Sequence, residues 1–250
     1  MQSNWDALKL WGKDIQRIEK LTGGTANDVW SVRIGNKIAV ARFGRRSDAD
    51  LDWETKLLKY LAKAGLKVPI PFPTLDGRMF ASGLVVMSKL EGVPPQTSED
   101  WRRVAKTLKQ LHSLTTHWTQ RPGWVSSTDL LTIEKGTKID LSKMPPDGVE
   151  RCRGAWAKIQ SKTKSVVHGD PNPRNIFMNE HQVALIDWDE AHLDAPDLDL
   201  ALPHNAADLN VHDYDKALQA SAAWEAAVCW GDDYALKRLS EVRTIESQLM

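Results

Sequence analysis

Acidic and amide side chains occur in two short segments of the second half of the chain. The first segment reads His168-Gly169-Asp170, with Asn175 five positions after the aspartate, and the second segment ends an apolar run at Asp187. An aspartate in a loop can accept a proton from an attacking hydroxyl group. An asparagine and a second aspartate supply the hard oxygen ligands that Mg²⁺ prefers. These residue types at this spacing are typical of phosphoryl transfer.

Short apolar runs surround both segments and position them. Ser165 to Val167, Ile176 to Met178 and Val183 to Ile186 are each predicted as a short strand. The aspartate of the second segment follows the last of these strands directly. A side chain in that position is held by rigid backbone, as a metal ligand needs to be.

The first ninety or so residues are predicted as mainly strand with one helix. Asp28 to Ile34 and Lys37 to Phe43 alternate apolar and polar residues as strands do, and the Gly35-Asn36 pair between them suits a tight turn. These runs predict a β-hairpin. A helix follows the hairpin, with Ser47 or Asp48 as its N-terminal cap.

The rest of the chain is predicted as mainly helical. A stretch with glycine and proline from Glu91 to Pro95 marks the boundary between two lobes. Thr97 and Asp100 have the spacing of a capping box and begin the first helix after that boundary. The sequence therefore predicts an α+β fold with two lobes, residues 1–90 and residues 91–250.

Both motifs resemble those of a known family. The motif His-Gly-Asp-x4-Asn, which ends at Asn175, and the motif Ile-Asp-Trp around Asp187 are similar to the catalytic and metal-binding segments of aminoglycoside phosphotransferase and choline kinase-like small-molecule kinases. That family has a protein-kinase-like fold with a small β-rich N-terminal lobe. The resemblance implies ATP and Mg²⁺ as cofactors and a small-molecule hydroxyl as acceptor. It assigns Asp170 as catalytic base, Asn175 and Asp187 as metal ligands, and His168 as an orienting residue.

The resemblance also assigns nucleotide-binding positions to the lobe of residues 1–90. Gly23 and Gly24 precede the hairpin, where backbone N–H groups can approach the phosphates. Met87 and Leu90 lie where the family's hinge begins, so that the backbone near them is expected to contact adenine. This lobe is therefore predicted to bind the nucleotide.

A basic side chain is expected on the third strand of this fold, where it contacts the α- and β-phosphates. Arg42 occupies that position, and Glu54 in the next helix is its expected ion-pair partner. Lys37 is the competing cation, but it lies on the opposite face of the strand and close to the turn. We therefore expect Arg42 to anchor the phosphates, with a planar fork in place of a point charge.

Composition and charge favour an ordinary cytoplasmic protein. The 250 residues include 33 basic and 33 acidic side chains, so that no net charge attracts nucleic acid or an anionic membrane. No apolar run reaches the roughly 20 residues that span a bilayer, and the charged N-terminus is unlike a signal peptide. Cys152 and Cys229 form no CxxC pair, which favours two reduced thiols. We expect a small-molecule partner and neither nucleic acid nor membrane.

Two other functions account for part of the pattern. His168, Asp170, Asp187, Asp189 and His192 include the HxD and DxD spacings of two-metal hydrolases. That function leaves the hairpin and the glycines before it unexplained. A nucleotide-binding pseudokinase is the other alternative, and the intact catalytic and metal-binding residues argue against it.

The sequence indicates the identity of the acceptor less clearly than it indicates the catalytic residues. Eight acidic residues between Trp188 and Asp215 hint at a cationic or amine-bearing acceptor, such as an aminoglycoside, an amino alcohol or another metabolite. Asp199 is one of the eight, and it resembles a family position that stabilises the helical lobe. His112 is expected to be packed or hydrogen-bonded and not to bind a metal.

Overall fold

The computed structural model describes residues 5–21, 27–136, 138–159, 163–180, 182–207 and 211–243. Two compact units are present, the first comprising Met1–Val93 with Asn179–Ile186 and the second comprising Pro94–Met178 with Asp187–Met250. The predicted α+β class is confirmed, because a β-sheet dominates the first unit and helices dominate the second.

Within the described residues the chain forms ten strands and six helices. The strands are β1 (Gln16–Lys20), β2 (Asp28–Ile34), β3 (Lys37–Phe43), β4 (Leu84–Ser88), β5 (Lys135–Gly136), β6 (Ile139–Asp140), β7 (Ser165–Val167), β8 (Ile176–Met178), β9 (Val183–Leu185) and β10 (His192–Asp194). The helices are α1 (Asp48–Lys63), α2 (Ser98–Leu114), α3 (Pro146–Ala157), α4 (Asp197–Ala206), α5 (Val211–Val228) and α6 (Asp233–Glu241).

The first unit is built on a four-stranded antiparallel sheet in the order β1-β2-β3-β4. β2 and β3 form the predicted hairpin, and Gly35 in its turn has a φ of 57°, which glycine adopts without strain. The sequence did not predict β1. All five of its residues are exposed, so no alternation of apolar and polar residues marks it as a strand.

α1 begins at the predicted cap and buries one face. The hydroxyl of Ser47 accepts a hydrogen bond from the backbone N–H of Asp50 at 3.2 Å, which satisfies one donor of the first turn. Leu57 and Leu61 on the inner face are fully buried, and Glu54 on the same face is equally inaccessible to solvent. A carboxylate in such a position must be paired with a cation or a donor.

The second unit is a helical assembly. α2 begins with the predicted capping box, in which the backbone N–H of Asp100 donates to Thr97 Oγ1 and the backbone N–H of Thr97 donates to the Asp100 carboxylate. α2 packs on α4, and α5 packs on α3, α4 and α6. Among the described helices none is long and apolar enough to cross a bilayer.

β7 and β10 form a small antiparallel sheet within the second unit, with Val167 opposite His192. The sequence predicted β7 but not β10, because β10 has only three residues and its two buried positions are His192 and Asp194. β7 leads into the first motif, and β10 follows the second. Their pairing therefore brings the loop after Val167 and the turn before His192 to the same end of the sheet.

Candidate active site

The loop after β7 and the turn before β10 are in direct contact. Gly169 has a φ of 86°, in the left-handed region that favours glycine. A Cβ atom at this position would collide with the carbonyl group of Glu190. The rings of His168 and Trp188 also meet, with 4.8 Å between their centroids. Only glycine therefore allows this approach of the two segments.

Asp199 on α4 anchors the start of the loop. Its Oδ2 accepts a hydrogen bond from the backbone N–H of His168 at 2.7 Å, and its Oδ1 accepts one from the backbone N–H of Gly169 at 2.9 Å. Nε2 of His112 on α2 lies 2.9 Å from Oδ2. Asp199 is fully buried. The carboxylate thus ties the loop to two helices, in the structural role that the sequence suggested.

The carboxyl group of Asp199 is ionised at neutral pH in spite of its burial. Burial on its own raises the pKa of a carboxyl group. The hydrogen bond from His112, the electrostatic influence of His112 and His168, and the hydrogen bond from Gly169 outweigh burial, and they lower the pKa of Asp199 below its usual value of 3.8. The loop is therefore held by a charged acceptor.

Asp170 lies half-buried at the tip of the same loop. The side-chain amide of Asn172 donates to both carboxylate oxygens at 2.8 Å. The side-chain amide of Asn175 donates to the Asp170 carbonyl oxygen and to its Oδ2, each at 3.0 Å. Both partners are neutral, and within the described part of the chain no cation pairs with this carboxylate. Its direction is fixed while its charge is not neutralised.

Asn175 and Asp187 offer a donor set that suits Mg²⁺. Because the amide nitrogen of Asn175 is engaged by Asp170, its Oδ1 is the atom that remains to bind a cation. Asp187 is exposed and adds carboxylate oxygens. Mg²⁺ is commonly held by one or two carboxylates together with water and substrate phosphates. No group of three or more His, Cys, Asp or Glu side chains suited to a metal occurs in the described ranges.

The backbone at Asp187 is unusual. Its φ of 60° and ψ of 71° are left-handed, and a short 3-10 turn, Trp188–Glu190, follows it. Such a conformation in a residue other than glycine costs about 1–3 kcal/mol, and it persists where the surroundings impose it. Strain of this kind is concentrated at functional sites.

Arg42 and Glu54 form an ion pair in the first unit. Arg42 on β3 donates from Nη2 to Glu54 Oε1, and Arg46 donates from Nη1 to Glu54 Oε2. Arg46 in turn makes a two-pronged contact with Asp50 at 2.8 and 2.9 Å. The buried carboxylate is thus compensated by two guanidinium groups, of which the sequence indicated only Arg42. Lys37 is exposed at the hairpin end of β3.

The other residues predicted to bind nucleotide are at the end of β4 or outside the described residues. Met87 is buried in β4, where it pairs with Val40. Lys89 and Leu90 follow the strand and are partly exposed, and within the described residues neither peptide group bonds to another backbone group. The Gly23-Gly24 pair lies outside the residues that the structure describes.

Comparison with protein families gives a match over most of the chain. Residues 17–227 match the phosphotransferase enzyme family. The chain belongs to this family. The match includes both motifs around Asp170 and Asp187, so the resemblance that these motifs suggested is confirmed.

Three proteins illustrate the similarity. Homoserine kinase of Rhizobium etli (strain CIAT 652) is 28% identical over 177 residues, which cover 65% of this chain and 54% of that protein. An aminoglycoside phosphotransferase superposes with a TM-score of 0.68 at 14% identity, over 98% of this chain and 96% of that chain. A microcompartment-associated aminopropanol kinase superposes with a TM-score of 0.63 at 15% identity, over 95% and 92%.

The sequence relatives are longer than this chain, whereas the solved structures match it over nearly its whole length. The chain spans 54% and 64% of the lengths of the curated relatives that it matches, the second being an uncharacterised protein of Deinococcus radiodurans. At the low identities of the solved structures, the superpositions establish the fold, which is that of protein-kinase-like small-molecule kinases.

The two-metal hydrolase alternative counts His192 among its metal ligands. In the structure, the ring nitrogens of His192 are not available to a metal. His192 is fully buried, with Nδ1 2.7 Å from the Glu190 carbonyl oxygen and Nε2 3.1 Å from the Asp194 carboxylate. Its ring is stacked between Trp124 and Trp224, at centroid distances of 5.2 and 4.4 Å. Both ring nitrogens are used inside the protein, so a metal cannot reach them.

The acidic segment is less available to a substrate than its composition suggests. Of the eight acidic residues between positions 188 and 215, at least four have side-chain partners among the described residues. These are Asp194 and Asp199, which are buried and hydrogen-bonded, and Glu190 and Asp215, which pair with a lysine and an arginine. Composition alone therefore overstates how much of this acidic charge is available to an amine-bearing acceptor.

The sequence analysis missed several supporting residues in the two units, and only one of them has a local signal. Asn172 could have been identified, because an asparagine two positions after an aspartate can bond to it locally. Gln120, Arg121 and Arg46 could not, because they are polar residues in irregular stretches that contact distant or non-periodic positions. The sequence motifs therefore point to the candidate reacting residues but not to the residues that contact and support them.

Proposed function

We propose that the protein transfers the γ-phosphoryl group of ATP to a hydroxyl group of a small, amine-bearing molecule. The environment of Asp170 carries this proposal. The carboxylate is half-buried, is directed by the amides of Asn172 and Asn175, and has no cationic partner in the described part of the chain. A carboxylate in this state is suited to accept a proton from a hydroxyl group.

In the proposed reaction the acceptor hydroxyl donates a hydrogen bond to Asp170. Its oxygen attacks the γ-phosphorus, its proton passes to the carboxylate, and the bond from the γ-phosphorus to the bridging oxygen breaks, so that ADP leaves with the electron pair. Asn172 and Asn175 keep the carboxylate in one direction. Asp199 keeps the loop in place through the His168 and Gly169 amides, which reduces the cost of orienting the reactants.

The proposed ligands of the metal belong to the second unit, and the proposed nucleotide contacts belong to the first. Bound Mg²⁺ supplies positive charge to the phosphate oxygens, and Asn175 Oδ1 and the Asp187 carboxylate are its proposed ligands. Arg42, steadied by Glu54, is proposed to contact the inner phosphates. Gly23-Gly24 is proposed to cover the phosphates, and the backbone from Met87 to Leu90 is proposed to contact the adenine of Mg-ATP. We further propose that the enzyme acts in the cytoplasm.

The amine on the acceptor is inferred from the relatives and from the charge of the second unit. Homoserine, aminopropanol and aminoglycosides, named for three similar proteins, each carry an amine as well as a hydroxyl group. Asp197, at the start of α4, is partly exposed and has no ion-pair partner within the described residues. A carboxylate of this kind can attract an ammonium group.

The experiment compares matched acceptors with and without the amine. Purified protein is incubated with Mg-ATP and with homoserine, aminopropanol, choline or an aminoglycoside, and in parallel with propanediol in place of aminopropanol. The readout is the mass of one phosphoryl group added to the acceptor, with Asp170→Asn as the blank. We expect transfer to at least one amine-bearing acceptor, no transfer to propanediol, and none in the blank.

Other outcomes would separate the parts of this proposal. Equal transfer to propanediol would remove the amine requirement and leave the kinase. Transfer that persists in Asp170→Asn would remove Asp170 as base. Protein that binds Mg-ATP by calorimetry but modifies no acceptor would support the pseudokinase alternative.

A further inference from the structure

Arg121 lies in the stretch between α2 and α3, and its long cationic side chain is almost completely buried, at 1% exposure. Its Nη1 donates to three carbonyl oxygens of one short segment, those of Trp188 at 3.1 Å, Asp189 at 2.9 Å and Ala191 at 2.7 Å. These carbonyl groups belong to the turn that follows Asp187. A single guanidinium group therefore sets the orientation of the peptide groups immediately after a proposed metal ligand.

The neighbouring residue extends this contact along β10. The side-chain amide of Gln120 donates to the Leu193 carbonyl oxygen and accepts from the Leu193 N–H, each at 2.9 Å. The backbone N–H of Arg121 also donates to Gln120 Oε1 at 2.8 Å. Gln120 and Arg121 together hold the backbone from Trp188 to Leu193 through side-chain hydrogen bonds.

A buried guanidinium group is costly unless its N–H groups are satisfied. Here the compensation comes from carbonyl groups of the turn and from the ring of Trp124, whose centroid lies 5.0 Å from the guanidinium carbon. All three bonds to the turn come from Nη1, and the planar guanidinium group also lies over the ring of Trp124, a stacking contact that a lysine ammonium cannot make in the same way. Arginine is thus specifically suited to hold a turn of this shape.

The turn needs such support because Asp187 adopts a left-handed backbone, with a φ of 60°. A non-glycine residue keeps this conformation only where the surroundings impose it. We propose that Arg121 is a positioning residue that imposes the left-handed conformation of Asp187 and thereby aims its carboxylate at Mg²⁺. This inference rests on the proposed metal role of Asp187 and adds a residue to it that touches neither metal nor nucleotide.

The test compares Arg121→Lys with a matched control elsewhere in the same unit. Arg151 also donates to backbone carbonyl groups, those of Leu239 in the last turn of α6 and of Val242 just after it, and Arg151→Lys removes the same kind of contact away from the turn. Calorimetry measures the Mg²⁺ concentration that supports half-maximal binding of AMP-PNP. We expect Arg121→Lys to raise this concentration about 10- to 100-fold, as other residues that support metal ligands do. Arg151→Lys should lower the thermal stability of the protein and leave this Mg²⁺ concentration unchanged.

A second measurement does not depend on metal or nucleotide. Hydrogen exchange of the ligand-free protein should be faster in residues 188–191 of Arg121→Lys than in the wild type, and unchanged there in Arg151→Lys. Arg121→Ala with added methylguanidinium should recover part of the wild-type Mg²⁺ dependence, which a merely destabilised protein would not do.

The outcomes distinguish this inference from the proposed function. Wild-type Mg²⁺ dependence and exchange in Arg121→Lys, or an equal shift in Arg151→Lys, would overturn the role of Arg121 while the kinase proposal stands. If AMP-PNP bound to the wild-type protein equally well with and without Mg²⁺, the metal role of Asp187 itself would be overturned. In that case faster exchange in Arg121→Lys would reduce Arg121 to a support of the turn alone.

Discussion

Two aspartates of the second unit have opposite surroundings, although they act on one loop. Asp199 is fully buried and accepts from two backbone N–H groups, with His112 at 2.9 Å as a third partner. Asp170 is half-buried, and its carboxylate is met only by the neutral amides of Asn172 and Asn175 within the described residues. Each carboxylate accepts three hydrogen bonds, but Asp199 is closed to solvent whereas Asp170 is partly exposed.

This difference in burial separates a carboxylate that anchors the loop from one that a ligand can reach. A fully buried carboxylate contributes its free energy to the folded state, because removing it leaves several buried donors without an acceptor. A directed carboxylate that is partly exposed contributes less to folding, since water can replace a lost partner, and it is accessible to a substrate hydroxyl. Replacing each aspartate by asparagine should therefore affect different quantities.

Asp170→Asn should have the largest effect, and on turnover alone. General-base catalysis typically contributes about 10²–10⁴-fold, and we expect kcat to fall by that factor. The free energy of unfolding should change little, since the residue is partly exposed and no cation loses its partner. Steady-state kinetics and urea denaturation measure the two quantities. A large loss of stability would mean that Asp170 is an anchor like Asp199.

Asp199→Asn should, unlike Asp170→Asn, lower the free energy of unfolding. The amide retains one oxygen for donors that the carboxylate served with two, so the free energy of unfolding should fall by about 3 kcal/mol. Activity should fall as well, because the loop that carries Asp170 loses its anchor. Denaturation with urea provides the measurement, with Asp170→Asn as the matched control. Stability equal to that of the wild type would show that the buried carboxylate contributes nothing.

The stability contributed by the Asp199 carboxylate should also depend on pH. The pKa of Asp199 is lowered in the folded protein, so the unfolded state binds the proton more readily. Its stabilisation is therefore complete above the unfolded pKa of about 4 and is lost as the pH falls through the lower, folded pKa. The advantage of the wild type over Asp199→Asn should shrink in acid. An advantage that stays constant down to pH about 2 would contradict this linkage.

The sequence predicted the parts of this structure that depend on local pattern. The β2–β3 hairpin and the caps at Ser47 and Thr97 are confirmed, because turn and cap chemistry is set by residues close in the chain. β1 and β10 were not predicted. β1 lacks a buried face, and the buried positions of β10 are filled by His192 and Asp194, so neither shows the hydrophobic pattern of a strand.

The candidate site divides in the same way. The residues at its centre stand in compact motifs, and Asn175 lies close enough to Asp170 to bond to it directly. The contacts from Arg121 to the Trp188 turn join distant parts of the chain. Only the packing of the folded chain brings such residues together, and no local spacing encodes it. Local motifs in a sequence therefore indicate candidate reacting groups more readily than the distant groups that hold them in place.

Gly169→Ala tests the contact between the anchored and the open part of the loop. The new Cβ would collide with the Glu190 carbonyl group, and the φ of 86° is unfavourable for alanine. Left-handed strain alone costs about 1–3 kcal/mol, so we expect Gly169→Ala to lose more stability than that, together with reduced turnover. Gly77→Ala is the control, because it has a φ of 88° with no atom near its Cβ position. An equal loss in both variants would attribute the effect to the backbone and not to the contact.

Asn172→Ala should have the smallest effect, and it tests whether the amides direct the reactive carboxylate. Asn172 donates to both oxygens of Asp170, and its Oδ1 accepts from the backbone N–H of Arg174 at 2.8 Å. Losing one such hydrogen bond is worth about 1 kcal/mol, so kcat should fall roughly fivefold. Asn172→Asp keeps the acceptor for Arg174 but places a negative charge against Asp170, so its kcat should fall further. If Asn172→Asp retained more activity than Asn172→Ala, the acceptor for Arg174 would matter more than the amide donor, and the neutral partners of Asp170 would not explain its readiness for chemistry.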